Sequence, residues 1–502
     1  MRKLGDHAIA TFQGPMNETA PPAKPTTLER WQTAPSGVSA SGGACASPLG
    51  QWAWAWFEGA RNPHVLLITI YIFAPYFAQH LVGNAVKGQA LWADLNSAAG
   101  FIIAIVAPFM GAIADAGGRR KPWLFVWSVS LAATAGLLWY ALPNEGGLSF
   151  VAICALLIAT FVSFDFTAVF HNAMLPTLVP EKKVGALSGL ALALGNLSGV
   201  VLLVFMLIFF VLPGVVDWPF VPAAPWFGID QAAHEPERMV GPLFVVWFLI
   251  FGLPMFFFTP DQPKTALGPL AAIDRGVTSL LRTVRGLRNY KNVTTYLVAR
   301  MIYNDGNNAI LIFGGIYAST TFAWGPLDML VYGVVLSIFA TFGGVFGGWL
   351  DHTFGSQRGI MISVGGTMVG LVLSLSMAPD TILFVIPYDT TLPPVHSLPF
   401  FNTWPELIYL IIVIIIAIFI TASYANSRTM LARIAPASKM TEFFGLYALS
   451  GTATAFLAPF VVARATEWSQ SQAIGLGSIL FLLAIGFAMM LFVKNERAVA
   501  VA

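Results

Sequence analysis

The chain has 502 residues, of which 57% are hydrophobic and only 10% are charged. Soluble domains carry about 25% charged residues, so a water-soluble fold of this length would need more polar surface than this chain has. The mean hydropathy is +0.74. The net charge is only +2, and we expect no nucleic-acid partner. Composition therefore excludes an ordinary soluble domain and is typical of a protein embedded in a lipid bilayer.

Residues 1–50 are polar and rich in Pro, Ala, Ser, Gly and Thr. No apolar stretch follows the basic start at Arg2 and Lys3, so we expect no cleaved signal peptide. The composition predicts a flexible cytoplasmic tail. Cys45 in this tail and Cys154 in an apolar run form no metal or redox motif, so we expect no disulfide, metal site or cofactor.

Twelve apolar stretches are candidates for transmembrane helices, because about 20 apolar residues cross a hydrocarbon core of about 30 Å. Six of these stretches precede a charged segment and six follow it. This order predicts an all-α integral membrane fold with one six-helix bundle at 51–259 and a second at 294–502. The charged segment, 260–293, carries arginines at a spacing that predicts an amphipathic helix along the cytoplasmic membrane face. The predicted spans are 53–81, 90–113, 122–142, 149–171, 186–213, 240–259, 294–319, 327–350, 358–378, 405–425, 442–463 and 472–493.

Basic residues gather on one side of the predicted membrane. That side holds both termini, the central linker and most of the charged loops, whereas the opposite side holds only Lys87, Arg238 and Arg464. Cytoplasmic loops carry an excess of Lys and Arg. The pattern therefore predicts a multi-pass protein of the cell (inner) membrane with both termini in the cytoplasm.

The two sets of six spans repeat each other. Asp115 at the end of the second span corresponds to Asp351 at the end of the eighth, an offset of 236 (351 − 115). The loop that begins at Pro180 corresponds to the loop that begins at Pro436, an offset of 256 (436 − 180). Internal repeats of this kind build transporters whose site lies at the interface of the halves, near the bilayer midplane.

The loop 111–121 has the spacing Gly-x-x-x-Asp-x-x-Gly-Arg-Arg-Lys, which resembles the signature of the major facilitator superfamily. Segments 170–176, 303–306 and 442–451 resemble the branch related to the yeast vacuolar amino-acid effluxer and its bacterial relatives. The resemblance runs over residues 52–494. It implies the major facilitator fold of two pseudo-symmetric six-helix bundles and a carrier that works by alternating access. The yeast members suggest amino-acid efflux.

Polar side chains inside the predicted spans mark a candidate site, because a charge at a helix centre costs at least about 2.5–3.5 kcal/mol in a bilayer. Glu58 and Arg61 lie three residues apart on one helical face, so they are placed to pair. Asp305 lies near the middle of the seventh span, where Gly306 permits local unwinding and Arg300 is placed to bind Asp305 or a substrate carboxylate. The candidates for substrate binding or coupling are Glu58, Arg61, Asp165, Arg300, Tyr303, Asn304, Asp305 and Asn308.

A carboxylate in a low-dielectric cavity has its neutral form favoured, which is the chemistry that a proton-coupled carrier needs. Glu58, Asp165 and Asp305 are the candidates for that role. The competing interpretation is that they form purely structural buried ion pairs. For His171, near the end of the fourth span, we expect a helix-end hydrogen bond.

Charged loops at the cytoplasmic helix ends predict a gate. Asp115 with Arg119 and Arg120 is placed to latch the two halves in one state, and Asp351 with Arg358 to form a weaker second latch. The alternative is that these charges only set the topology.

Several functional classes compete at this point. The chain has no repeated filter sequence, no His-Glu-x-x-His motif and no Walker loop, so neither a channel nor an enzyme is supported. A non-transporting sensor or assembly factor on the same fold stays open, since fold does not fix function. We expect a monomeric secondary transporter whose partners are the bilayer, a small polar solute such as an amino acid, and protons if the carrier is proton-coupled.

Overall fold

The structure is a computed structural model, and it describes residues 32–143, 146–214, 218–285, 287–324, 326–397, 400–452, 454 and 457–496. Within these residues the protein is mostly helical, with two small antiparallel sheets of two strands each. The strands are β1 Thr33–Val38, β2 Ala44–Ala46, β3 Thr381–Ile382 and β4 Ile386–Pro387.

The described residues include fourteen principal helical segments, which we number in chain order. They are α1 Pro48–Leu81, α2 Ala85–Gly117, α3 Lys121–Leu137, α4 Phe150–Leu178, α5 Val184–Met206, α6 Glu235–Phe258, α7 Pro269–Arg285, α8 Lys291–Thr321, α9 Pro326–Phe354, α10 Ser356–Leu375, α11 Trp404–Ile434, α12 Met440–Thr452, α13 Leu457–Ser469 and α14 Gln472–Met490. We call α1–α6 the first half and α8–α14 the second half.

Local sequence explains where several of these helices begin. The Ser47 hydroxyl accepts a hydrogen bond from the backbone N–H of Gly50, and Pro48 stands at the first helical position, where its missing N–H costs nothing. At the start of α11, Thr403 and Glu406 form a capping box in which each side chain accepts from the other's backbone N–H. These caps satisfy backbone donors that have no partner inside the helix.

Ten helical segments among the described residues are long and apolar enough to cross a membrane. They correspond to ten of the twelve predicted spans, all except the seventh and the eleventh. The seventh lies in α8, a helix of 31 residues whose hydropathy is lowered by polar residues such as Arg300, Asn304 and Asp305. Of the eleventh, the structure describes α12 and α13, each of 13 residues, while residues 453, 455 and 456 between them lie outside the described residues.

The outer faces of the long helices are apolar. Phe101 of α2, Val151 of α4 and Phe481 of α14 are all more than 60% exposed. Large apolar side chains on the surface of so many helices would be unfavourable in water but match the acyl chains of a bilayer. The surface therefore agrees with a multi-pass membrane protein.

The N-terminal region differs from the predicted flexible tail. The β1–β2 hairpin packs against the end of α4, where the backbone N–H of Ala40 donates to the carbonyl of Val179 at 2.9 Å and that of Ser41 donates to Pro176 at 3.1 Å. Residues 33–46 thus form a hairpin that packs on the first half, and α1 begins at Pro48. Residues 1–31 lie outside the described residues.

The linker between the halves contains the predicted amphipathic helix, α7. Ala272 and Leu280 are buried on one face, and Gly276 lies directly against the backbone of Ile113 in α2. Exposed apolar residues such as Leu270 occupy the next face, and the side chains of Arg275, Arg282 and Arg285 are exposed. The position of α7 relative to the bilayer and the domain boundaries at 50, 259 and 293 stay predictions.

Candidate functional site

A cavity of about 240 Å³ lies between the halves and is lined by α2, α4, α8 and α12. The two charged groups on its wall come from opposite halves: Asp165 from α4 and Arg300 from α8. The amides of Asn172 and Asn304 and the side chain of Tyr447 complete its polar lining. Of the eight predicted binding or coupling residues, three line this cavity, Asp165, Arg300 and Asn304, and the other five do not.

Arg300 is buried and is held against α12. Its guanidinium lies over the ring of Tyr447, 3.4 Å from the ring centroid, and its Nη1 donates to the Tyr447 carbonyl at 2.8 Å and to Ser450 Oγ at 2.6 Å. Within the part of the chain that the structure describes, its Nε has no hydrogen-bond partner. Among the described residues no carboxylate forms an ion pair with it. A buried cation of this kind has unused capacity for an anion.

Asp305 does not face this cavity but caps a helix. Its carboxylate accepts a hydrogen bond from the backbone N–H of Ala458, at the start of α13, at 3.0 Å. The expectation that Arg300 pairs with Asp305 is therefore wrong, since the arginine points at α12. The expected unwinding at Gly306 is also wrong, because α8 is continuous and Gly306 packs closely on Leu483.

The neighbours of Asp305 on α8 bond to α11. Tyr303 and Asn308 make side-chain hydrogen bonds with Ser427 and Tyr424, at 2.7 Å in each case. These contacts join helices inside the second half. Of the polar group predicted on α8, only Arg300 and Asn304 line the cavity.

Glu58 is the centre of a buried ion network on the first half. Its carboxylate pairs with Arg61 of the same helix, as the three-residue spacing suggests, with Oε2 3.1 Å from Nε. Nδ1 of His171 lies 3.4 Å from the same Oε2 atom. Arg61 also stacks on the ring of Phe164 and donates to its carbonyl at 3.1 Å, which places its charge beside Asp165.

Arg428 of α11 joins this network from the second half. Its Nη1 lies 3.6 Å from Glu58 Oε2 and donates to Asn172 Oδ1 at 3.2 Å, while its Nη2 donates to the Ser188 carbonyl at 2.7 Å. Sequence analysis missed this residue as part of the site. The internal repeat contained a signal for it. Asn172 and Arg428 are 256 residues apart, which is the offset between the loops that begin at Pro180 and Pro436, so they occupy equivalent positions in the two halves.

Asp115 links the halves at the end of the molecule that carries the basic loops, which we call the basic end. Its carboxylate pairs with Arg120, with Oδ1 3.1 Å from Nη2, and accepts from the backbone N–H of Glu442 at 2.9 Å. Arg120 Nε also donates to Thr441 Oγ1 at 2.7 Å. Asp115 and Arg120 thus make the contacts between halves that a latch requires. The Arg119 side chain is exposed and bonds to none of the described residues.

Asp351 forms the second contact, but with a different arginine. Arg433 binds both of its carboxylate oxygens, at 2.7 and 2.8 Å, and also donates to the Glu181 carbonyl in the first half at 3.2 Å. Ser356 Oγ donates to Asp351 Oδ1 at 2.6 Å. The prediction that Arg358 pairs with Asp351 is wrong, because these donors occupy the carboxylate and Arg358 is exposed without a partner among the described residues.

Glycines bring the two halves into contact at the basic end. A Cβ atom on Gly111 of α2 would collide with the backbone carbonyl of Thr441, and a Cβ atom on Gly189 of α5 would collide with the backbone carbonyl of Gly344 in α9. Such close backbone approach requires residues without a side chain. The basic end is therefore closed in this structure.

The linker adds contacts to the same closed end. The carboxylate of Asp261 accepts the backbone N–H of Arg120 at 3.0 Å, and Ser279 of α7 donates to the carboxylate of Glu442 at 3.2 Å. The linker thus touches the end of α2 in the first half and the start of α12 in the second half.

Solved structures of solute carriers share this fold. A structure of the E. coli fucose:proton symporter FucP matches with a TM-score of 0.61 and 14% identity, covering 89% of this chain and 97% of that chain. The proton:xylose symporter XylE matches with a TM-score of 0.59 and 13% identity, covering 90% and 95%. At these identities the likeness shows the fold alone. The protein has the all-α fold of the major facilitator superfamily, as predicted.

The sequence identifies the branch within that class. The chain is 21% identical over 450 residues to the MFS-type transporter YxiO of Bacillus subtilis, covering 89% of this chain and 95% of the relative. It is 21% identical over 479 residues to autophagy-related protein 22 of Yarrowia lipolytica, covering 78% and 73%. Residues 78–186 and 180–502 match the family described as vacuole effluxer Atg22 like. The chain belongs to this family, which confirms the predicted resemblance.

Family membership settles the functional class. The protein is a secondary transporter of the major facilitator superfamily, embedded in a lipid bilayer and acting on small-molecule substrates, and it is not an enzyme. The described residues include no group of three or more His, Cys, Asp or Glu side chains that could hold a metal ion.

Proposed function

We propose that the protein carries a small zwitterion of the amino-acid type. The cavity supports this because it presents one cation, Arg300, and one carboxylate, Asp165, from opposite halves. In this proposal the substrate carboxylate binds the guanidinium of Arg300 and the substrate ammonium lies at Asp165. The observation that carries the proposal is that Arg300 is buried without a carboxylate partner among the described residues.

The size of the cavity favours a single metabolite over a peptide. Its volume of about 240 Å³ is below the range of about 300–1,000 Å³ that is typical of sites for drug-sized ligands. A sugar would fit by size but would bring no opposite charge to either Arg300 or Asp165, which is unfavourable for charged groups removed from water. The amides of Asn172 and Asn304 are placed to bind the remaining polar atoms of the substrate.

We infer that transport proceeds by alternating access between bundles 51–259 and 294–502. The contacts of Asp115 with Glu442 and of Arg433 with Asp351 and Glu181 would act as latches that hold the basic end closed in this state. The contacts of Asp115 with Glu442 and of Arg433 with Glu181 must break when the basic end opens, because each joins the first half to the second, whereas the pair of Arg433 with Asp351 lies within the second half and holds the arginine in place. A substrate bound between Asp165 and Arg300 would then reach the other side.

We propose export from the cytoplasm as the direction of transport. The family description names efflux out of a vacuole, and the proposal transfers efflux, here out of the cytoplasm, to the cell membrane. The excess of Lys and Arg at the basic end supports a cytoplasmic location for it and for both termini. In this proposal the protein lies in the cell (inner) membrane and acts as a monomer, since one chain supplies both walls of the cavity.

We further propose that proton movement drives this transport. Glu58 is the best placed of the three candidate carboxylates, because its contact with Arg428 bridges the halves. Asp165 belongs to the substrate cavity and Asp305 caps α13. A change in protonation near Glu58 would therefore act directly on the interface that has to open.

A binding screen tests the substrate class. The purified protein is heated in detergent with amino acids, with carboxylic acids that lack an amine, with amines and with sugars. A ligand at 100 times its Kd stabilises the folded form by about 2.7 kcal/mol, so amino acids are expected to raise the melting temperature. Arg300→Gln should abolish the effect, and Asp165→Asn should reduce the preference for zwitterions over simple acids. The exposed outer variant Arg464→Gln is the matched control.

Two outcomes would contradict this assignment. Stabilisation by sugars alone would exclude a zwitterion site, because a neutral ligand supplies no ammonium for Asp165 and no carboxylate for Arg300. Binding of amino acids by the protein in vesicles without any movement across the membrane would favour a sensor on the same fold. The substrate class and the transport function are thus tested separately.

A further inference from the structure

The ring of His171 is fixed in one orientation. Its Nε2 lies 2.8 Å from the carbonyl oxygen of Trp54, and the Trp54 indole N–H donates back to the His171 carbonyl at 3.0 Å. The two rings are stacked with centroids 4.3 Å apart. Because a carbonyl oxygen only accepts hydrogen bonds, Nε2 must carry the hydrogen. The other ring nitrogen, Nδ1, is therefore left to face Glu58.

The unprotonated ring nitrogen of His171 and the carboxylate of Glu58 face each other. Nδ1 lies 3.4 Å from Glu58 Oε2 and makes no well-formed hydrogen bond among the described residues, although the side chain is fully buried. With Nε2–H committed to Trp54, a neutral ring points a lone pair at an ionised carboxylate. A single added proton would replace this unfavourable contact by a charge-assisted hydrogen bond.

We propose that His171 and Glu58 together form the proton-binding site of this carrier. The proton enters from water, binds between Nδ1 and Oε2 and leaves to water on the other side, with no covalent step. Proton binding itself does not depend on the proposed substrate, whereas its role in driving transport rests on the proposed function. His171 is thus more than the helix-end hydrogen bond expected from sequence.

The charges around this site connect it to the interface between the halves. Arg61 of α1 and Arg428 of α11 lie 3.1 and 3.6 Å from the same Oε2 atom that faces His171. Asp165 is the nearest acidic group on the helix of His171, and its charge interacts with Arg61. A proton on His171 adds a third cation at one carboxylate oxygen.

Of these three cations, only Arg428 can move away from Glu58 when the halves separate, because Arg61 and His171 belong to the same half as Glu58. Proton binding therefore weakens the contact between α11 and α1 and favours opening of the basic end. By linkage, the state with Arg428 withdrawn binds the proton more tightly than the closed state. A proton taken up from the outer side would thus open the carrier towards the basic end, which suits exchange of a proton for an exported solute.

Nitrogen NMR on the full chain in lipid nanodiscs, labelled with ¹⁵N-histidine, tests the site. The expected result is one Nδ1 signal that changes on protonation as the pH is lowered through the range in which the protein stays folded, and that is lost in His171→Gln. Glutamine keeps an N–H for the Trp54 carbonyl but cannot be protonated. Glu58→Gln should lower the proton affinity of His171 at least tenfold. His64→Gln, another buried histidine, is the control and should leave the signal in place.

A His171 Nδ1 that stays unprotonated throughout this pH range would overturn the proposal. The coupling is tested with spin labels at the exposed positions Lys182 and Arg358, in a background without the two cysteines. The distance distribution should shift to longer values at low pH in the parent and in His64→Gln, but not in His171→Gln. Equal shifts in all three would overturn the coupling role, whatever the outcome of the substrate screen.

Discussion

The guanidinium of Arg428, on α11 of the second half, ends 3.6 Å from the carboxylate of Glu58, on α1 of the first half. The same arginine binds the carbonyl of Ser188 and the amide of Asn172, so it makes three contacts across the interface. This contact lies beside the cavity lined by Asp165 and Arg300. A change in the charge near Glu58 would therefore act on a contact that holds the two halves together.

The first prediction concerns this ion network. Glu58→Gln leaves Arg61 and Arg428 buried without their carboxylate, which should cost about 3–5 kcal/mol of stability. Arg428→Gln should cost less, because Glu58 keeps Arg61. Thermal unfolding of both variants and of the double variant measures the coupling. If the losses in the two single variants simply add in the double variant, the two residues do not interact.

The second prediction concerns the cap of α13. Asp305→Asn keeps an oxygen that accepts the N–H of Ala458, whereas Asp305→Ala removes it and should lower stability by about 1 kcal/mol. Melting temperatures of the two variants in detergent are the measurement. Equal loss in both variants would indicate that the charge of Asp305, and not its capping hydrogen bond, is what matters.

The third prediction separates the two arginines near Asp351. Arg433→Gln should weaken the closed basic end, since Arg433 holds both oxygens of Asp351 and the carbonyl of Glu181. Arg358→Gln should have little effect, because this side chain is exposed. The rate at which a thiol reagent modifies a cysteine placed at Ser188 reports on opening. A larger rate increase in Arg358→Gln than in Arg433→Gln would refute the assignment.

The fourth prediction uses the close contact of α2 with α12. Gly111→Ala places a methyl group against the backbone carbonyl of Thr441, and such overpacking costs about 1–3 kcal/mol. The variant should therefore favour an open basic end. Gly117→Ala on the same helix meets open space and is the matched control. Distances between labels at 182 and 358 should lengthen only in Gly111→Ala; no change would contradict the account.

Much of the fold was predictable because lipid imposes a simple rule on sequence. Each helix that spans the bilayer alone needs a long apolar run, so ten spans were recovered. The contact of Asp305 with the start of α13 was not predicted, because the backbone N–H that it accepts belongs to Ala458, about 150 residues later in the chain. A sequence pattern shows which groups are buried but not which distant backbone they satisfy.

The site was predictable in its residue types but not in its partners. Glu58, Asp165 and Arg300 could be identified because a charged side chain inside a membrane span is energetically costly and is therefore usually functional. Arg428 and Arg433 were not among the predicted site residues, although both lie in α11. Their carboxylate partners are on other helices, and only packing of the two halves brings each pair together.

Transport by the protein in sealed vesicles tests the central claim most directly. The stabilising amino acid is loaded inside, and uptake of its labelled form from outside is measured as exchange. The account predicts exchange by the parent and by Arg464→Gln, and a loss of at least tenfold in Arg300→Gln and in Asp165→Asn. Undiminished exchange in both cavity variants, or no exchange of any amino acid by the parent, would contradict it.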